Sequence, residues 1–172
     1  VVICGKGVYT NSLTKTFTIR PETMASAVIT GCKAKYSYTG KQVKPLIQVV
    51  WNGKILRNNT DYTLLYKNNK KRGSAGIVVT GKGNYSGTLT ASFTIVRASV
   101  KKASVTGLKA VYARTGKAVK PKVTVKLGGK KLKKKRDYIL SYRKNKKKGT
   151  ALLYVKGVGN YSGTKKMKFK IR

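Results

Sequence analysis

Gly157-Val158-Gly159-Asn160-Tyr161-Ser162-Gly163 is the third copy of one stretch. The same stretch stands as Gly81-Lys82-Gly83-Asn84-Tyr85-Ser86-Gly87 and, more loosely, as Gly5-Lys6-Gly7-Val8-Tyr9-Thr10-Asn11. After each copy an alternating run ends in Phe-x-Ile, at Phe17/Ile19, Phe93/Ile95 and Phe169/Ile171. The step is 76 residues both times, and a fixed step of this size marks a repeated structural unit and overrides any estimate of domain number from length. The chain therefore divides into residues 1–20, the C-terminal hairpin of a truncated preceding module, then module one at 21–96 and module two at 97–172.

Working outward from the turn, the two full modules align without a gap. Ala34/Ala110, Tyr36/Tyr112 and the Thr-Gly-Lys triplets at 39–41 and 115–117 make a first strand and turn. Val43-Lys44-Pro45 and Val119-Lys120-Pro121 lead into a second strand, where Ile47, Val49 and Trp51 share one face and Val123, Val125 and Leu127 match them. Asn52-Gly53 and Gly128-Gly129 follow. They are strong hairpin signals, because both central positions tolerate positive φ. Tyr62, Leu64, Tyr66 and Tyr138, Leu140, Tyr142 alternate along the next strand, ahead of a basic tip at 67–72 and 143–148. In Lys165-Lys166-Met167-Lys168-Phe169-Lys170-Ile171 the apolar residues point in and the lysines out. Period two with turns every 8–12 residues predicts an antiparallel β-sandwich, and no helical periodicity is sustained anywhere.

The series Tyr-x-Gly-Lys-x-Val-Lys-Pro, Asp-Tyr-x-Leu-x-Tyr, Gly-Asn-Tyr-Ser-Gly and Phe-x-Ile resembles the bacterial immunoglobulin-like repeats found in tandem in Gram-positive surface and secreted proteins. The likeness covers both modules and the hairpin. It implies an all-β fold of tandem immunoglobulin-like β-sandwich modules preceded by a partial-module β-hairpin. It also implies an extracellular place, on the cell surface or secreted, and a role as stalk, spacer, adhesive module or wall-attachment tail. Fold transfers along such a likeness more safely than a binding role. The chain departs from the usual pattern in its lysine content and its two cysteines.

Charge is distributed unevenly over this frame. Residues 1–20 carry 3 basic and no acidic side chains, 21–96 carry 11 and 2, and 97–172 carry 26 and 1, for net charges of +3, +9 and +25. A field this strong attracts polyanions. The bases are 32 Lys and 8 Arg. Lysine is a compact point charge, whereas the planar arginine fork is the group that reads phosphates and base edges. A lysine-rich face thus suits a loosely held polymer without sequence readout. The densest runs give the candidate polyanion-binding residues Lys130, Lys131, Lys133, Lys134, Lys135, Arg136, Lys144, Lys146, Lys147 and Lys148. Lysines on turns and edge strands also block edge-to-edge aggregation, which is the plainer reason for some of them.

Catalysis finds little to work with. There is no histidine, and Asp61 and Asp137 occupy the same position in two modules, so no carboxylate pair forms within one. Their expected role is to accept backbone N–H bonds at a turn or strand start, or to pair with a neighbouring lysine. The glycines around Asn84 and Asn160 are turn chemistry, since a phosphate-cradling loop leads into a helix and here a strand follows. No catalytic residue, cofactor or metal site is expected, and a tetrahedral zinc site would lack ligands. Nine of the eleven tyrosines fall at repeat-equivalent positions on inward faces, which favours core packing over stacking platforms for nucleic acid. Only Tyr38 and Tyr154 stand outside that scheme.

Cys4 and Cys32 belong to neither repeat's plan. They are expected either as a disulfide, which requires the hairpin to fold back on module one, or as free and partly buried thiols. No apolar run reaches the length of a membrane span. The chain starts without Met inside a strand pattern, so it is expected to be part of a longer protein. The expectation is a non-catalytic spacer, with module two attaching electrostatically to an anionic cell-wall polymer, teichoic-acid-like, or another acidic glycan. Non-specific nucleic-acid binding and a purely structural stalk or adhesin segment are the alternatives.

Overall fold

The computed structural model describes residues 1–172 and is all-β. Strands β1 (Val2–Cys4) and β2 (Ser12–Thr14) form an antiparallel hairpin. The first repeat contributes β3 (Glu22–Thr23), β4 (Val28–Thr30), β5 (Lys35–Ser37), β6 (Gln48–Trp51), β7 (Lys54–Leu56), β8 (Tyr62–Lys67), β9 (Gly73–Gly81), β10 (Tyr85–Ser86) and β11 (Thr88–Val96). The second contributes β12 (Ala98–Ser99), β13 (Ser104–Thr106), β14 (Val111–Tyr112), β15 (Thr124–Leu127), β16 (Lys130–Lys131), β17 (Tyr138–Arg143), β18 (Gly149–Gly157), β19 (Tyr161–Ser162) and β20 (Thr164–Ile171). The one helical piece is a 3₁₀ turn at Val100–Lys102. No helix is long and apolar enough to cross a membrane.

Each strand from β3 to β11 recurs 76 residues later. The sheets recur with them: β4-β6-β7 and β13-β15-β16 have three strands, β5-β11-β9-β8 and β14-β20-β18-β17 have four. At the β6–β7 and β15–β16 hairpins the central residues are Asn52 (φ 46°) and Gly53 (φ 75°), then Gly128 (φ 54°) and Gly129 (φ 76°). Positive φ at both positions gives the turn whose twist matches the flanking strands, as the two dipeptides predict. The glycine-rich turn closes through Gly81 N–H to Gly87 O and Gly157 N–H to Gly163 O, both 2.9 Å. A Cβ on Gly157 would lie 2.7 Å from the Ser162 nitrogen, so close backbone approach fixes that residue.

The pairing is not purely antiparallel, which corrects the expectation drawn from period two. β3 runs parallel to β10, β5 to β11, β12 to β19 and β14 to β20. Parallel partners need long connections, and these are strands from opposite ends of one repeat. The first strand of a repeat pairs with that repeat's own glycine-rich turn, and so ties its beginning to its end.

The chain gathers into two compact units. One comprises Val1–Thr30, Ile47–Leu65 and Val78–Thr90, the other Gly31–Leu46, Tyr66–Ile77 and Ala91–Arg172. In the first, Met24, Val49, Leu56, Tyr62, Val79 and Tyr85 are buried. Trp51 meets Tyr85 edge to face at 5.5 Å and donates its indole N–H to Thr23 O. In the second, β13-β15-β16 and β14-β20-β18-β17 contribute to one core, with Val125 and Leu132 beside Leu153, Val155, Phe169 and Ile171. Two sheets sharing one apolar core is consistent with a β-sandwich.

Every residue of 1–20 is exposed. The hairpin therefore does not pack on the rest of the chain, and Tyr9, expected inside, is 74% exposed. Its equivalents Tyr85 and Tyr161 are buried, with Trp51 against the first ring and Tyr38 against the second.

Candidate polyanion-binding surface

The run at 130–136 is a return strand and the tight turn after it. Lys130 and Lys131 form β16, both exposed, and Leu132 between the cations is buried. The turn is organised by Asp137. Its Oδ2 accepts the Lys133 N–H at 2.8 Å, and both oxygens accept from Arg136, Nε to Oδ1 and Nη2 to Oδ2 at 3.0 Å each. Asp61 does the first part of this job in the first repeat, accepting the Arg57 N–H at 2.8 Å. Hydrogen bonding from Arg136 holds the Asp137 carboxyl below the usual carboxylate range, against the opposing effect of its burial. Arg136 is thus committed to a buried acid, and of the ten candidates it is the one with an anion already in hand. Lys135 has φ 70° and donates its N–H to Tyr138 O, which turns its side chain out of the sheet. Lys130 Nζ lies 5.8 Å from the Tyr38 ring centroid, within cation–π range.

The second run is the β17–β18 connection. Asn145 pins it: its carbonyl accepts the Val119 N–H at 2.7 Å, and its side-chain amide donates to Val119 O at 2.9 Å. Lys144, Lys146, Lys147 and Lys148 are all exposed around a shallow concavity of about 500 Å³. With Lys144 at φ 54° and Gly149 at φ 131°, the backbone curls so that all four lysines line the concavity. The first repeat builds the same loop on Asn69, whose amide donates to Val43 O at 3.0 Å. Lys70, Lys71 and Arg72 line its concavity. These three cations were not among the sequence candidates, and the 76-residue step was the signal that pointed to them.

The tyrosines are mostly unavailable as platforms. Tyr142 donates to Pro121 O at 2.7 Å, and Tyr112 stands edge to face with Phe169 at 5.4 Å. Burial pushes the Tyr138, Tyr142 and Tyr161 hydroxyls above their ordinary range. One lysine reading needs correction. Lys165 does not point out: it shares the parity of Met167 and Phe169, is half-buried, and donates Nζ to Ala103 O at 2.6 Å. Cys4 and Cys32 are free thiols, Cys4 exposed and Cys32 half-buried with its Sγ 3.7 Å from Lys33 O. The structure does not join them.

Compared with known protein families, curated proteins and solved structures, the chain matches none.

Proposed function

We propose that this chain is a non-catalytic, extracellular spacer and attachment segment built of tandem immunoglobulin-like modules. Its second repeat holds an anionic cell-wall polymer, of teichoic-acid type, or a comparable acidic glycan. The observation that carries this reading is the charge contrast on a common frame, +9 against +25 for the two repeats. The frame demands none of the extra charge: at the turns Asn58 and Asn59 occupy the places of Lys134 and Lys135. Nine of the ten candidate cations have no carboxylate partner, since the one ion pair is Arg136 with Asp137. Unneutralised like charge on a folded surface costs stability, so an external anion is the natural complement.

Retention of the chain on isolated cell walls tests this. Exposed pairs are screened within about 10 Å at 0.1 M salt, so retention should fall steeply as salt rises and should be competed by soluble wall polymer. Retention indifferent to salt would overturn the proposal. Binding to DNA that survives competition by wall polymer would favour the nucleic-acid alternative.

A further inference from the structure

The outer face of the sheet β14-β20-β18-β17 carries a second array of cations, of which Arg143 alone belongs to a basic run. Antiparallel partners point to the same side of a sheet, and the register places Lys170 beside Thr150, Lys168 beside Leu152, Lys166 beside Tyr154 and Thr164 beside Lys156. On the next strand Arg143 lies beside Leu152 and Ser141 beside Tyr154. Lys156, Lys166, Lys168, Lys170 and Arg143 are exposed. Arg143 sits 5.9 Å from the centroid of the Tyr154 ring. No acidic residue lies on these strands.

The corresponding residues of the first repeat are Thr90, Ser92 and Thr94 for Lys166, Lys168 and Lys170, Thr80 for Lys156 and Val78 for Tyr154. Hydroxyl and β-branched residues suit an exposed strand face well, so the lysines do not serve the strand. Three like charges in a row along one strand repel each other, and nothing in this sheet neutralises them.

We infer that this lysine ladder is the seat of an extended linear polyanion of the polyol-phosphate class, lying along β20. The inference rests on the attachment role proposed above and names where that attachment happens. Alternate residues on a strand are about 6.4–6.8 Å apart, a distance spanned by six main-chain bonds. A chain with a phosphodiester on every three-carbon unit also has six main-chain bonds between phosphorus atoms. Extended alongside β20, it presents one negative charge to each of Lys166, Lys168 and Lys170. A single-stranded nucleic acid has the same six-bond backbone, but its bases need stacking surfaces. This face has Tyr154 alone, with Arg143 already over its ring. The unbranched polymer without bases fits the face better.

The test is binding of the full chain to poly(glycerol phosphate), measured across salt, for the wild type and two variants that each remove three charges. One is Lys166→Thr, Lys168→Ser and Lys170→Thr. The other is Lys134→Asn, Lys135→Asn and Lys144→Asn. Both install residues that the first repeat carries at the same positions, and asparagine suits the positive φ of Lys135 and Lys144. The ladder variant should lose at least tenfold in affinity and flatten the log–log salt slope by about 2, with the loop variant losing about threefold. Equal losses would overturn the ladder and leave the general electrostatic attachment standing, and a larger loss in the loop variant would move the seat to the loops. A wild-type chain that ignores the polymer sinks both proposals. An oligo(dT) probe that binds more tightly and is not displaced by poly(glycerol phosphate) overturns the ligand class. As a gain-of-function check, Thr90→Lys, Ser92→Lys and Thr94→Lys should strengthen binding by more than threefold, and no gain counts against the ladder.

Discussion

In the first repeat Tyr36 meets Phe93 edge to face at 5.2 Å, and in the second Tyr112 meets Phe169 in the same way at 5.4 Å. Between those conserved interiors and the solvent, Thr90, Ser92 and Thr94 become Lys166, Lys168 and Lys170, and Asn58 and Asn59 become Lys134 and Lys135. The two repeats thus keep an apolar residue wherever the side chain is buried in both and the same positive φ at their turns, with Asn59 and Lys135 alike in backbone, and differ most where a side chain meets water. A sheet of this kind is specified by its inward face, its hairpin turns and a few hydrogen bonds at the turns. Its outward face is free to carry charge for another purpose.

The largest effect should come from breaking what the repeats share. Phe93 and Phe169 are both 2% exposed, and truncating a buried phenylalanine costs about 3–5 kcal/mol. Phe93→Ala and Phe169→Ala should therefore destabilise to a similar degree, seen as matched losses in urea unfolding of the full chain. A much smaller loss at Phe93 would mean that the first repeat does not rely on the interior it shares with the second.

A smaller effect should separate Asp61 from Asp137. Both accept a backbone N–H at 2.8 Å, but only Asp137 also holds an arginine. Hydrogen bonds to a charged group contribute about 1.5–3 kcal/mol, and Asp137 accepts from Arg136 as well as from the part-buried Lys133 N–H, so Asp137→Ala should cost within that range and more than Asp61→Ala. The pH dependence follows from the lowered carboxyl of Asp137. The unfolded chain takes up its proton near pH 4, before the folded one does. The stabilisation is then complete above about pH 4 and disappears as pH falls through the lower folded value. The gap in midpoint between wild type and Asp137→Asn should close on acidification. A gap that stays constant would show that the ion pair with Arg136 contributes nothing.

Much of this frame was legible in the sequence because its determinants are local. Asn52-Gly53 and Gly128-Gly129 declare their turns, and the alternation of Tyr138, Leu140 and Tyr142 declares which face is covered. The parallel pairs β3–β10 and β12–β19 were not legible, since no local pattern says which strand some 60 residues away will lie alongside. Arg136 looked like any other cation of its run until Asp137 was placed beneath it. Lys165 already stood at the inward parity of Met167 and Phe169 in the sequence, and it was its charge, not its position, that made it look outward. The aromatic contact of Tyr161 was hidden for another reason. Leu127 replaces Trp51 in the second repeat, and the ring that meets Tyr161, at 5.8 Å, is Tyr38, a residue outside the repeat pattern. The ladder on β20 was written plainly as Lys-x-Lys-x-Lys. Its meaning depends on the partners across β18 and β17, which only the register supplies.

The motif occurs three times in the chain, and its first copy behaves differently from the other two. Phe17 occupies the position of Phe93 and Phe169, with the same Phe-x-Ile spacing, yet it is 68% exposed and Ile19 is 82% exposed. Motif identity alone therefore does not make a core residue; a second sheet from the same repeat has to cover it. A two-stranded hairpin without such cover is marginal in water. Phe17→Ala in the full chain should accordingly change the unfolding free energy by no more than about 0.5 kcal/mol, the usual range for an exposed site, where Phe93→Ala and Phe169→Ala cost several times that. A large loss at Phe17 would show that the hairpin finds cover in solution. If that loss also depended on protein concentration, the cover would be a second copy of the chain.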